Sequence, residues 1–457
     1  MKRIAILIFI LSLCMLPTFA VTDRSALQSQ QQQQEYMNMV FWQKFNDDIL
    51  VDNLIKVYKN NNDLKAAVLK VNEGNRIVKM SFANELPHVG FQGYVGRIFS
   101  SSDELFGEVK IPNYAETHYL LPLTMNYEVD IWGKNHLITK SKKKQLEMIK
   151  QDERASYIYI SSAFAVDYYN LIRTDKLISY QKELIELQNK IIDSYKTKYE
   201  LGTATLSDIE QAQKNLTYMK EELQKLSEKQ DLLKNQLSVL LSDRAFESIE
   251  RAEFDSLNIA FIPPKEIKFD VIEKRPDKIK SELELEKIGI DVKVARKDLL
   301  PKFIITGNLG FNMYNISSSH KFLADLGIVP AWDLFMGGRK LQLLKLKKDQ
   351  YELATQKYEK TILTAIQETN DALYSMKTAE NIKSVVDDRL NNDEKEMKYT
   401  IIREDAGTAD NLDIMFQKQK LIISKMQTVS AKINEIISAI NLYQALGGVD
   451  FTEIENI

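Results

Sequence analysis

The chain has 457 residues, 44% of them apolar and 27% charged, a folded composition that excludes a disordered protein. Its formal charge of -3 gives no basic footing for nucleic acid. The only cysteine, Cys14, lies near the N-terminus, so a chain cut behind it has neither disulfides nor thiolate chemistry.

Lys2 and Arg3 precede an apolar run from Ile4 to Leu16, which Pro17-Thr18-Phe19-Ala20 closes on a small residue. That order predicts a secretory signal peptide over residues 1–20 and an exported protein. Leu11-Ser12-Leu13-Cys14 also loosely resembles a lipobox, in which Cys14 would carry the lipid. Leu13 argues against it, because a small residue normally precedes the acceptor cysteine. No later segment has the ~18 apolar residues of a transmembrane helix. An exported chain can still enter a membrane as a β-barrel, whose strands carry a weaker signal.

Residues 21–46 read as an extended, flexible lead-in, rich in glutamine from Gln28 to Glu35. A first structural unit covers residues 47–250. It opens with a helix that places Leu50, Leu54, Val57, Leu64, Val68 and Val71 on one face, and Pro87 ends it. A β-hairpin follows over 87–131. Leu121, Leu123, Met125, Tyr127 and Val129 alternate there with Pro122, Thr124, Asn126 and Glu128, which gives one apolar and one polar face. A half-buried soluble strand or a lipid-facing barrel strand would read this way. Export without a transmembrane helix favours the barrel, and Tyr119, Tyr127, Trp132, Trp332 and Phe335 suit an interfacial girdle.

Long helices are predicted over 134–247, with Tyr157, Phe164, Leu171, Ile178, Ile185 and Ile192 in a heptad seam and a turn at Gly202. Residues 251–270 read as a linker. The second unit covers 271–446, with a helix and then a hairpin over 301–335, where Phe303, Ile305, Leu309, Phe311 and Met313 are the apolar set. Long helices over 339–446 repeat Leu344, Tyr351, Tyr358, Ala365, Ala372, Ala379 and Val386, with a turn at Gly407. Residues 447–457 form a tail.

The two units are copies. Asp63 precedes Pro87 by 24 residues, as Asp277 precedes Pro301. Asp130-Ile131-Trp132-Gly133 recurs as Asp333-Leu334-Phe335-Met336-Gly337, and Gly202-Thr203-Ala204 recurs as Gly407-Thr408-Ala409. Two hairpins supply four strands, whereas about eight are needed to close a membrane barrel. The membrane reading therefore requires an oligomer, and three copies would give a barrel of about twelve strands.

Trp42-Gln43-Lys44-Phe45, Asn62-Asp63-Leu64, Leu86-Pro87, the run from Tyr127 to Lys134, Arg275-Pro276-Asp277, Leu300-Pro301 and the two glycine-threonine turns together resemble the TolC-like outer membrane factors, in particular the branch serving tripartite drug and metal efflux. The resemblance implies an α+β membrane protein: a homotrimer with a 12-stranded outer-membrane β-barrel, four strands per chain, continuous with a coiled-coil periplasmic tunnel. It also implies a periplasmic adaptor and an inner-membrane transporter as partners, alongside outer-membrane lipid. The expected function is a passive exit duct for drugs, toxic compounds or metal ions. Two alternatives remain, a duct for type I protein secretion and a soluble periplasmic coiled-coil adaptor or structural protein.

No catalytic, cofactor or metal constellation is predicted. His88, His118, His136 and His320 are scattered without metal-ligand spacing, and there is no phosphate-binding glycine loop. A duct needs a gate instead, and the turns are the candidates. Thr205 and Asp410 are placed to cap the returning helices, with Asp208 and Asp413 three residues on. Threefold symmetry would make each aspartate a ring that attracts cations. The resemblance assigns the constriction to the second turn, so Asp413 comes first, then Asp410, with Asp208 as its first-unit counterpart. Gly202, Thr203, Gly407 and Thr408 are expected to face the adaptor. The lysine run Lys140, Lys142, Lys143 and Lys144 reads as a solvated helix face or a headgroup contact.

Overall fold

A computed structural model describes residues 35–100, 114–242, 249–257, 264, 266–267, 269–314 and 319–451. The predicted signal peptide, Cys14 and the lead-in up to residue 34 lie outside these residues. Contacts divide the chain into two compact units.

One unit comprises Leu69–Gln151 and Ile279–Thr361 and holds a single antiparallel sheet. Its strands are β1 (His88–Phe91), β2 (Tyr94–Ser100), β3 (Tyr114–Glu128), β4 (Lys302–Tyr314) and β5 (Ser319–Ala331). The order is β1-β3-β4-β5, and β2 also pairs with β3, so the sheet is open at β1/β2 and at β5. Five strands stand where the sequence leads one to expect four. β1 and β2 share one register on β3, from His88 opposite Asn126 to Ser100 opposite Tyr114, and so form one pass with a break at Gln92-Gly93. Pro122 causes the break: its carbonyl accepts the Gln92 N–H at 3.4 Å, but it has no N–H to return.

Cross-strand partners share a face. Phe91, Leu123, Leu309 and Ala324 form one row, Val89, Met125, Gly307 and Leu326 a second, and Tyr127, Ile305 and Ile328 a third. The opposite face carries Gly90, Thr124, Asn308 and Asp325, and Asn308 donates to Asp325 at 3.0 Å. The apolar face is bare in the single chain, with Phe91 at 67% and Leu326 at 75% exposure.

Strand and helix are locked where they meet. Lys134 pairs with Glu128 at 3.3 Å and Asp298 at 3.5 Å, and Lys340 pairs with Asp333 at 3.0 Å. Trp132 and Trp332 donate their indole N–H groups to the carbonyls of Pro301 and Leu299, at 2.7 and 3.1 Å.

The other unit takes the remainder of the chain. Its core gathers Phe41, Trp42 and Phe45 with Tyr168, Tyr169, Leu237, Ile436, Tyr443 and Phe451. One sequence expectation is corrected here. Residues 21–46 are not all extended, since α1 (Met39–Gln43) buries Phe41 and Trp42 completely. Phe41 stacks on Tyr443 at 4.0 Å. Within the predicted linker, the described stretch 251–257 is packed: Leu257 is buried and Ala252 N–H donates to Tyr168 Oη at 3.0 Å. At the described start of the predicted tail, Phe451 is buried edge-on against Phe41. For Phe41, Trp42 and Phe451 aromatic burial outweighs weak local propensity.

α2 (Asp48–Asn60) is capped by the buried Asp47, whose carboxylate accepts from Leu50 N–H at 3.0 Å and from Tyr168 Oη at 3.1 Å. α3 is Asn62–Ala83, α4 Lys134–Glu200, α5 Leu206–Leu241, α6 Phe269–Ile272, α7 Pro276–Lys297, α8 Arg339–Asp405 and α9 Asn411–Ala445. Along the predicted seams Phe164, Leu171 and Ala365 are fully buried. Arg275 forks onto Asp277, reaches Glu368 at 2.6 Å and donates to the Ala445 carbonyl at 2.6 Å.

Candidate functional site

The two predicted turns are near-duplicates in three dimensions. α4 ends where Gly202 takes a φ of +72° and α8 where Gly407 takes +73°, a region that favours glycine. Thr203 N–H donates to the Lys198 carbonyl at 2.8 Å and Thr203 Oγ1 at 3.1 Å. Thr408 does the same to Arg403, at 2.8 and 3.0 Å. These threonines satisfy carbonyls that the helix ends leave open.

Both returning helices start in a capping box. Thr205 Oγ1 accepts from Asp208 N–H at 3.3 Å, and Asp208 accepts from Thr205 N–H at 2.8 Å. Asp410 accepts from Asp413 N–H at 3.0 Å, and Asp413 accepts from Asp410 N–H at 2.9 Å. All three aspartates thus serve helix termini. Hydrogen bonds from Thr205 hold the Asp208 carboxyl below the usual range.

The structure adds a residue that the sequence reading did not single out. Lys198, in the last turn of α4, forms an ion pair with Asp410 and lowers its pKa, with the Asp413 N–H contributing further. The two turns are thereby joined at their tips. They differ in surface: the first presents Leu201 at 74% and Leu206 at 55% exposure, where the second has Ala406 and Asn411. Among the described residues the histidines are not brought together as a site. His136 Nδ1 lies 3.7 Å from Glu85, and no cluster able to hold a metal occurs among the described residues.

A sequence model described as outer membrane efflux protein matches residues 54–242 and 270–448. The chain belongs to this family. It is an outer membrane efflux channel component, and members of the family are channels rather than enzymes. The toluene efflux pump outer membrane protein TtgC of Pseudomonas putida is 25% identical over 419 residues, covering 89% of this chain and 84% of that protein. Among solved structures, the CmeC outer membrane channel of Campylobacter jejuni aligns with a TM-score of 0.81 at 22% identity, covering 89% of this chain and 87% of that one. VceC of Vibrio cholerae aligns at 0.76 with 20% identity, covering 90% and 98%. These neighbours share the helix-and-strand architecture of the fold.

Proposed function

We propose that three copies of this chain assemble into a passive exit duct, a barrel of about twelve strands in the outer membrane continued by periplasmic helices. The observation that carries this reading is the sheet itself, with an exposed apolar face, a polar face and two open edges. Bare apolar rows suit lipid, and open edges suit pairing with neighbouring copies. An inner-membrane pump and a periplasmic adaptor would deliver the cargo. By analogy with relatives named for toluene, antibiotic and solvent efflux, that cargo is small organic compounds.

The turns form the periplasmic gate. Asp413 carries the cation-attracting ring, with Asp410 partly neutralised by Lys198 and Asp208 as the first-repeat counterpart. Gly202, Thr203, Gly407 and Thr408 shape the adaptor-facing ends. Purification from outer membranes followed by single-channel recording tests both parts. A trimer that conducts, with weaker multivalent-cation block in the Asp410→Ala/Asp413→Ala variant, supports the reading; a monomer without conductance refutes the duct, and unchanged block refutes the gate.

A further inference from the structure

The lysine run early in α4 acquires a setting in the structure. Lys140 and Lys144 line a cavity of about 700 Å³ walled by α4, α7 and α8 within the sheet-bearing unit. Lys293, Arg296 and Lys348 complete a rim of five cations, against the carboxylates of Glu286 and Glu352. Glu286 is already bonded to Lys144. Among the described residues, Lys140, Lys293, Arg296 and Lys348 form no ion pair. The remaining lining is apolar, with Ile290, Val292 and the ring of Tyr351. A volume of this size holds an organic ligand, and its lining calls for one with an anionic head and an apolar body.

Its place along the chain identifies the source. Arg296 stands one residue before the end of α7, which leads into β4, and Lys140 lies in the second turn of α4, which follows β3. At 1.5 Å per helical residue Lys140, Lys293 and Arg296 stand within about 10 Å of the helix ends that meet the strands, and Tyr351 and Glu352 about 20 Å from theirs. The strand bases carry the exposed Trp132 and Trp332, side chains suited to a membrane-water boundary. Long basic side chains next to such a boundary reach headgroup phosphates.

We infer that this cavity binds an anionic glycerophospholipid of the periplasmic leaflet, its phosphate among Lys140, Lys293 and Arg296, the cations of the rim nearest the strand bases. The inference rests on the membrane placement of the strands. A zwitterionic lipid would bring its own ammonium into a ring of cations, so phosphatidylglycerol is preferred over phosphatidylethanolamine.

The test is native mass spectrometry of the full-length protein in detergent, offered equal amounts of the two lipids. Preferential retention of phosphatidylglycerol is expected, with Lys140→Gln/Arg296→Gln weakening it about tenfold. Lys142→Gln/Lys143→Gln removes equal charge outside the cavity and is expected to leave retention unchanged. Equal loss in both variants, loss in neither, or no lipid preference overturns the site. Displacement of the lipid by equimolar inorganic phosphate also overturns it, by revealing a small-anion site. Recovery of the protein in the soluble fraction would undo the membrane placement separately, since lipid retention in detergent does not depend on it.

Discussion

Lys198 and Asp410, 212 residues apart in sequence, form an ion pair that ties the turn of the first repeat to the turn of the second. Both side chains are partly exposed, so the pair contributes about 0–1 kcal/mol. Its electrostatic effect is larger than its effect on stability. Lys198→Ala removes one positive charge per chain beside the aspartates, and stronger block by multivalent cations is expected in bilayer recordings. The Asp410 carboxyl titrates below its unfolded value, so its stabilising contribution is present above about pH 4 and is lost as pH falls through the lowered folded pKa. Asp410→Asn keeps the cap and is expected to flatten that part of the acid-stability curve.

The glycines separate strain from steric conflict. A Cβ at Gly202 or Gly407 meets nothing within 4 Å, so alanine there carries only the cost of positive φ, about 1–2 kcal/mol. Gly447 also has positive φ, but its Cβ would lie 2.8 Å from Arg275 Cα and 2.9 Å from Pro276 Cδ. Gly447→Ala is expected to lower the thermal midpoint clearly more than Gly407→Ala.

Asp47 shows a cap working against its own charge. Burial raises its pKa despite hydrogen bonds from Leu50 and Tyr168. Its contribution is therefore most favourable below the unfolded pKa and is lost as pH rises through the folded one. Asp47→Asn keeps an N-cap acceptor without the charge and is expected to be neutral or stabilising at pH 7, whereas Asp47→Ala costs about 1–2 kcal/mol. Denaturant titration at pH 7 and at pH 4 checks both: the advantage of Asn over Asp shrinks at the lower pH.

The faces of the sheet make opposite predictions. Leu326→Lys places a charge on the apolar face and is expected to cost about 2–4 kcal/mol if it lies at mid-membrane. Asp325→Asn, on the other face, is expected to leave assembly intact while altering ion selectivity. Trimer yield on unheated gels and reversal potentials in bilayers read the two effects.

Much of this was legible in the sequence because the signals were local or periodic. Alternation from Leu121 to Val129 gave the sheet faces, and the four-residue frames Thr205–Asp208 and Asp410–Asp413 gave the caps. The break at Gln92-Gly93 was not legible from its own residues, since its cause, Pro122, lies across the ladder. Read locally, Phe41 and Trp42 fall in a peripheral segment, because their burial depends on partners such as Tyr443 near the other end of the chain. Lys198 escaped for the same reason, as no local pattern sets its lysine against an aspartate of the other repeat.

The two open edges of the sheet also bear on kinetics. Each unpaired peptide group costs several kcal/mol in hydrocarbon, so a solitary chain is barred from the bilayer interior. Membrane entry and association then share one rate-limiting event, and the rate of insertion should rise more steeply than linearly with chain concentration.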